Sequence, residues 1–154
     1  MSYEIVDGNL FECKAEAYVN TVNCVGISGK GIALTFKTKY PLMFKHYKSC
    51  CNKNLVKPGE MLVYDLGDDF SDPRYIINFP TKRHWRQNSF MEDIKSGLIG
   101  LRKSLKEFGI KTVAIPALGC SNGGLDWRLV KPYIAATFLK CEEHAFLYAP
   151  KEKT

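Results

Sequence analysis

Two apolar runs of this 154-residue chain, AYVNTV at 17–22 and TVAIP at 112–116, each lead into a glycine-rich loop and then a helical pattern. The first loop is NCVGISGKGIA, Asn23–Ala33, and the second is GCSNGGLDW, Gly119–Trp127. A strand that ends in glycines and hands over to a helix is a building unit of α/β proteins, whose sheet is covered by helices on both faces. The same unit places loop amides and a helix N-terminus beyond the carboxyl ends of strands, where open α/β sheets bind ligands.

The other elements keep the alternation. Tyr3–Val6, Met61–Leu66, Tyr75–Phe79 and Ala145–Tyr148 read as strands, the third of them stopping at Pro80. Gly31–Lys39 and Leu42–Asn52 read as helices divided by Pro41, because the residue before a proline avoids helical geometry. The strongest helical signal spans Ser89–Phe108. Ser89 and Glu92 spell an S-x-x-E capping box, Ile94, Leu98, Leu101, Leu105 and Phe108 share one face, and Gly109 stops the helix. Asp126 is placed to cap a last helix, Trp127–Leu139, which Pro132 kinks or restarts. No internal repeat, low-complexity tract or linker interrupts this order, so residues 1–154 are expected to form one domain.

Charge and cysteine usage narrow the function classes. A net charge of +6, from 22 Lys and Arg against 16 Asp and Glu, favours anionic partners without approaching the basicity of a histone-like chain. The six cysteines include no C-x-x-C pair, and Cys50 and Cys51 are adjacent, which suits neither a zinc site nor a disulfide framework. The N-terminus has no basic and apolar leader, and no run is long enough to span a bilayer. A cytoplasmic protein with reduced thiols and no membrane association is the expectation.

Three loops can carry chemistry. The two glycine-rich loops are either strand–helix connections or, jointly, two amide nests able to hold a diphosphate. The first matches neither a Walker A loop nor G-x-G-x-x-G, since Cys24 stands where the former needs glycine. The third, Thr81–Arg86 (TKRHWR), is a solvated turn or an anion-binding edge. Cations flanking an aromatic can bind phosphate while stacking a base, and a lysine beside amide-rich loops can act as nucleophile or acid. No Ser/His/Asp set is visible; His46 is expected on a helix surface and His144 in a loop. Asp65, Asp68, Asp69 and Asp72 cluster in a turn without a calcium-ligand pattern, so no metal site is expected.

Together the segments DGNLFE, AEAYVNTVNCVGISGKGIALTFK, RYIINFPTKRHW and IPALGCSNGGLDW resemble a macrodomain, the ADP-ribose-binding α/β fold, from about residue 5 to 140. Within that family the chain is similar to the macrodomain of the DarG antitoxin, which reverses DNA ADP-ribosylation by the DarT toxin, and to human terminal ADP-ribose glycohydrolase. The resemblance implies a three-layer α/β/α sandwich around a central mixed sheet of about six strands. It implies removal of mono-ADP-ribose from thymine bases of single-stranded DNA, with no cofactor or metal and with ADP-ribose as ligand or product. Hydrolysis of ADP-ribose esters on protein Glu or Asp, or of small ADP-ribose derivatives, and ADP-ribose reading without catalysis are the alternatives.

The resemblance also implies residue roles. Asn9 stands where many macrodomains have an aspartate that binds the adenine amino group, with Leu10 beside it. Asn23, Gly29, Lys30, Gly31, Ile32 and Ala33 would surround the distal ribose and diphosphate. Gly119, Cys120, Ser121, Asn122, Gly123, Gly124 and Leu125 would wrap the diphosphate from the other side, and Thr81 completes the binding set. Lys82 matches the catalytic lysine, while Gly123 takes the place of the aspartate that assists it in the human relative. Arg83, Trp85 and Arg86 would contact the modified DNA strand. Toxin-pairing antitoxins continue into a further domain, whereas this sequence ends at Thr154, so a toxin partner is not implied.

Overall fold

A computed structural model describes residues 2–150. In chain order its elements are β1 (Tyr3–Val6), β2 (Ala17–Asn23), α1 (Gly31–Lys39), α2 (Pro41–Asn52), β3 (Leu62–Asp65), β4 (Tyr75–Lys82), α3 (Met91–Glu107), β5 (Thr112–Ile115), α4 (Trp127–Thr137) and β6 (His144–Tyr148). A 3-10 turn at Leu10–Glu12, which had no sequence signal strong enough to assign, follows β1.

The six strands form one sheet in the order β1-β6-β5-β2-β4-β3. All neighbours are parallel except β3, which runs antiparallel to β4 at one edge. The sheet is thus mixed and six-stranded, as the resemblance implies. From β2 the chain runs out to the edge strand β3, returns to β4 beside β2, then crosses to β5 on the opposite side of β2. This reversal of direction opens a crevice at the carboxyl ends of β2 and β5.

Alternation along each strand feeds two cores. One face presents Ala17, Val19, Ile77, Phe79, Val113 and Ile115 to Ile94, Leu98, Leu101 and Leu105 of α3 and to Val130 and Ile134 of α4. The other presents Tyr18, Val22, Ile76 and Ala114 to Phe36 of α1 and to Met43, Tyr47, Cys50 and Cys51 of α2. The result is three layers, each core holding side chains that are almost completely removed from water.

Several boundaries differ from expectation for tertiary reasons. The capping box does not form: α3 starts at Met91 with Phe90 as its N-cap and no side-chain cap bond. Ser89 instead donates its backbone N–H to the Gly123 carbonyl at 2.8 Å, and Glu92 turns to Arg83 at 3.3 Å. At the other end, Gly109 (φ +67°) allows Ile110 N to reach Leu105 O at 2.8 Å, closing the helix. Phe108, expected on the buried face, is 41% exposed because this closing turn lifts it off the core and onto the ring of Tyr75.

β4 does not stop at Pro80 but runs to Lys82. Pairing with β3 ends at Leu62↔Asn78, so the proline lies beyond the paired stretch on that side. On the β2 side Val22 pairs with Pro80 and Asn23 with Lys82, leaving Thr81 as the extra residue of a bulge. His144, expected in a loop, is the first residue of β6, where its ring packs edge-on against Phe146. α4 ends at Thr137 rather than Leu139 and passes through Pro132 without a break.

Candidate functional site

The bulge sets the geometry of the site. It advances β4 by one residue and brings Lys82 level with Asn23 at the sheet's carboxyl edge. Beyond that edge lies a cleft of about 1470 Å³, lined by both glycine-rich loops, by the turn after β4 and by the ends of β1 and β6.

Asn23 builds the first loop. Its Oδ1 accepts from the backbone N–H groups of Val25, Gly26 and Ile27 at 3.1, 3.0 and 3.3 Å. Its Nδ2 donates to Ile27 O at 2.7 Å, and the Tyr47 hydroxyl lies 2.7 Å from its carbonyl. The amide expected to surround the distal ribose is therefore mainly engaged in shaping the loop around it, and only 6% of the residue is exposed. The loop delivers the chain to Lys30, the N-cap of α1, which makes no side-chain cap bond. Gly31, Ile32 and Ala33 follow on the cleft wall, and as first-turn residues their N–H groups have no acceptor within the helix. With the positive end of the helix dipole they favour an anion.

The second loop faces the first. A Cβ at Gly31 would lie 3.1 Å from the Asn122 side chain, so the loops nearly touch at that point. The loop is closed at its base by Leu125 N donating to Gly119 O at 2.9 Å, and Asp126 caps α4 by accepting from Arg128 N at 2.9 Å. Gly123 is fixed by close approach: a Cβ there would lie 2.2 Å from Ser89 Oγ and 2.4 Å from Gly119 O. An aspartate has no room at this position. The N–H groups of Ser121, Asn122, Gly123 and Gly124 have no acceptor among the described residues. Cys120 is half-buried, and burial pushes its thiol up to about 11, which leaves it protonated and unreactive near neutral pH.

Lys82 is partly buried on the cleft wall, and its Nζ donates to the Trp85 carbonyl at 3.2 Å. Its pKa lies below the ordinary lysine value, first because burial penalises the ammonium and then because Lys30 places a second positive charge nearby. Cys24 sits beneath it with Sγ 3.6 Å from the Lys82 carbonyl; burial pushes that thiol up to about 11. Thr81 is buried in the bulge.

The three residues expected to meet a strand separate. Arg83 is held by Asp93 and Glu92 and lies 4.6 Å over the Phe90 ring, so it fastens the turn to α3 instead of facing the cleft. Trp85 and Arg86 remain on the cleft rim, the indole 42% exposed. His84, without an expected role, accepts from Arg86 N at 3.1 Å and so shapes the same turn.

At the far end, Asn9 caps the 3-10 turn, its Oδ1 accepting from Phe11 N at 3.0 Å, which leaves one oxygen lone pair and the Nδ2 group for a ligand. Leu10 is buried below it. Sequence reasoning missed Tyr148 and Pro150, which line this end with Val6 and Phe11. Tyr148 and Pro150 come from the C-terminal end of the described chain and Val6 and Phe11 from its N-terminal end, and the β1–β6 pairing brings the two together.

Among the described residues, no group of three or more His, Cys, Asp or Glu side chains converges on a metal-sized site. No helix among the described residues is long and apolar enough to cross a membrane. The six cysteines are free.

A cleft at the carboxyl edge of a mainly parallel sheet, with two facing amide-rich loops and a lysine at one end, is a concave site whose electrostatics favour an anion. The chain belongs to the macrodomain family: the Macro domain family model matches residues 19–134. It is 46% identical over 144 residues to the DNA ADP-ribosyl glycohydrolase of Mycobacterium tuberculosis, covering 93% of this chain and 41% of that protein. Against the corresponding protein of Thermus aquaticus it is 44% identical over 148 residues, with 96% and 41% covered. The chain thus spans about two fifths of the length of these curated relatives. The solved macrodomain of Mycobacterium tuberculosis DarG superposes with a TM-score of 0.94 at 45% identity, covering 97% of this chain and 98% of that one. Thermosipho africanus DarTG in complex with ADP-ribose superposes with a TM-score of 0.90 at 34% identity, covering 99% of this chain and 43% of that one.

Proposed function

We propose that this macrodomain is an ADP-ribosyl glycohydrolase that removes mono-ADP-ribose from thymine bases of DNA, with Lys82 as its catalytic residue. The observation that carries the reading is Lys82 itself. It is a partly buried lysine with a lowered pKa in a cleft that Gly123 also lines, and that glycine has no room for an assisting carboxylate. Relatives that are 44 to 46% identical over most of the chain and named DNA ADP-ribosyl glycohydrolase support the choice of DNA as acceptor.

The lowered pKa favours the neutral amine as nucleophile. Its lone pair forms a bond to C1″ of the distal ribose while the bond from C1″ to the thymine nitrogen breaks. The departing ring keeps that electron pair and takes a proton from solvent. The amine loses its surplus proton, water replaces it at C1″, and ADP-ribose leaves with Lys82 regenerated. Borohydride added during turnover reduces the ring-opened imine of such an adduct to a stable amine. ADP-ribose fixed on the Lys82 peptide is the expected product; turnover without any trapped adduct would assign Lys82 to protonating the leaving base instead.

Incubating a mono-ADP-ribosylated oligonucleotide with wild type and Lys82→Ala tests the assignment, with unchanged turnover in the variant overturning it. The cleft lining offers one carboxylate, Asp7, as a hard cation ligand, and the reaction needs neither metal nor cofactor, so turnover persists in EDTA. Abolition by chelation would overturn that part.

Hydrolysis of small ADP-ribose derivatives is a second reading, favoured by 40% identity over 70 residues to an ADP-ribose 1″-phosphate phosphatase of Aspergillus fumigatus, covering 45% of this chain and 35% of that protein. The same pocket would serve ADP-ribose esters on protein carboxylates. Side-by-side turnover of modified DNA, glutamate-modified protein and ADP-ribose 1″-phosphate ranks the three. A cytoplasmic location belongs to the leading reading and is supported by the free thiols. A relative of Thermosipho africanus, 33% identical, is a DNA ADP-ribosyl transferase–glycohydrolase fusion, which supports a transferase as the source of the substrate.

A further inference from the structure

Between α3 and α4, on their outer side, lies a second hollow of about 510 Å³ that shares no lining residue with the cleft. Lys95, Ile99 and Arg102 form one wall and Tyr133, Ala136 and Thr137 the other. The first set is spaced i, i+4 and i+7 along α3 and the second i, i+3 and i+4 along α4, so each wall is one face of a helix. Buried Leu98 forms the floor. Ile99 is 74% exposed, and Tyr133 is exposed too, with Leu129 one turn before it on α4.

The charge of this groove is one-sided. Its lining holds Lys95 and Arg102 and no carboxylate. α4 contains no Asp or Glu, and Glu92 and Asp93 of α3 are engaged by Arg83. Arg102 donates Nη1 to the Thr137 carbonyl at 2.8 Å, but its Nε is shielded from water and has no acceptor. Arg83 shows what such an edge takes, since its Nε and Nη2 hold the two oxygens of one carboxylate. The Tyr133 ring is already covered by Lys95 Nζ at 4.5 Å, so it is not free to stack a base, and a phosphate backbone gains nothing from Ile99.

We infer that the α3–α4 groove docks an acidic amphipathic helix of a protein partner, its apolar face on Ile99 and Tyr133 and a carboxylate on Arg102. A helix laid in a groove presents anchors at i, i+3 or i+4 and i+7, which is the spacing of the walls that receive it. Lys95 and Arg102 select acidic over basic helices by charge. No wall residue lines the cleft, so this surface stands independently of the reaction assigned there.

The test pans a phage-displayed library of random peptides against the whole chain in excess ADP-ribose, which keeps the cleft occupied. The enriched sequences carry Asp or Glu beside apolar residues at i and i+4. The most enriched peptide, fluorescein-labelled, is titrated by anisotropy. Ile99→Asp and Lys95→Glu, both at exposed positions, weaken its binding by about ten-fold or more, as changes at central interface residues do. Arg102→Gln weakens it as well, and so does replacing the peptide's carboxylates by amides. The melting temperature and ADP-ribose affinity of Ile99→Asp and Lys95→Glu match wild type, and these two variants decide if Arg102→Gln lowers stability. Enrichment of basic sequences or of no common pattern, equal binding by Ile99→Asp and wild type, or a parallel loss of ADP-ribose affinity would each overturn the proposal. Displacement of the peptide by an oligothymidylate would overturn it too and assign this face to nucleic acid.

Discussion

The Arg83 guanidinium meets the buried Asp93 carboxylate side-on, with Nε to Oδ2 at 3.0 Å and Nη2 to Oδ1 at 3.1 Å. Asp93 belongs to the first turn of α3, and the Arg83 carbonyl accepts from Cys24 N at 3.3 Å, so one residue ties the end of β4 to a helix on one side and to the first loop on the other. Lys82 is its chain neighbour. Arg83→Ala therefore releases the lysine from its geometry and leaves a buried carboxylate without its cation. Turnover is expected to fall by up to about 100-fold, the cost of small misplacements at reacting groups, with ADP-ribose affinity little changed. Asp93→Asn should lower kcat in the same way, and Arg83→Lys should recover part of it. A variant that loses single-strand binding while keeping kcat on a saturating substrate would return Arg83 to the nucleic-acid surface.

The Asn23 side chain serves three backbone donors at once. Asn23→Ala leaves these N–H groups without their partner, one of them fully buried, at an expected cost of about 1–3 kcal/mol. Asn23→Asp keeps the acceptor but turns the Nδ2 contact with Ile27 O into an oxygen–oxygen repulsion. Both variants should melt earlier than wild type and bind ADP-ribose more weakly, since the loop that carries Lys30 and Gly31 into the cleft loses its brace. Calorimetry and a thermal melt check this together; unchanged values would mean that the loop holds its shape by other bonds.

The elements were legible where local chemistry decides them. Asp126 caps α4 as its position suggests, and Ile94, Leu98, Leu101 and Leu105 are buried in the spacing a helix demands. Legibility failed where a distant residue intervenes. Ser89 spells a cap but is drawn to Gly123, 34 residues later, and its hydroxyl stays buried without a partner. Pro80 spells a stop, but the end of β3 and the bulge against β2 let the strand continue. Among the candidate site residues, turn chemistry marks the glycine loops, whereas Lys82 stands out from its basic turn only through the resemblance. Tyr148 and Pro150 could not be found, because their place depends on β6 pairing with β1.

Gly123 tests how tightly the second loop is built. A methyl group there meets both Ser89 Oγ and the Gly119 carbonyl, and the latter is backbone that cannot swing away. Gly123→Ala is expected to destabilise the fold by about 1–3 kcal/mol through overpacking and to weaken ADP-ribose binding as the loop amides shift. Adding Ser89→Ala removes one of the two obstacles and should restore part of the melting temperature. Gly123→Asp, the residue the resemblance places here in the human relative, should lose affinity instead of gaining rate. Full stability of Gly123→Ala in a thermal melt would show that the loop moves freely.

Lys82 and Lys30 share the cleft, and the sign of their coupling can be read from pH. Burial and then the Lys30 charge weaken the Lys82 proton in the folded protein, while the unfolded chain holds it at the ordinary lysine value. The folded state therefore binds fewer protons in the window between the two pKa values, and the penalty is fully present below the folded pKa and relieved as pH rises through it. Lys82→Met should accordingly raise the melting temperature at neutral pH, and its advantage should shrink in alkaline buffer. Catalysis moves with the same group. If the neutral amine attacks, kcat climbs with pH through a pKa below the ordinary lysine value. Lys30→Met removes the like charge, raises that pKa, shifts the climb to higher pH and lowers kcat at neutral pH. A kcat that falls with rising pH, with Lys30→Met extending activity into alkaline buffer, would instead identify the ammonium form as the working one and make Lys82 the proton donor to the departing base.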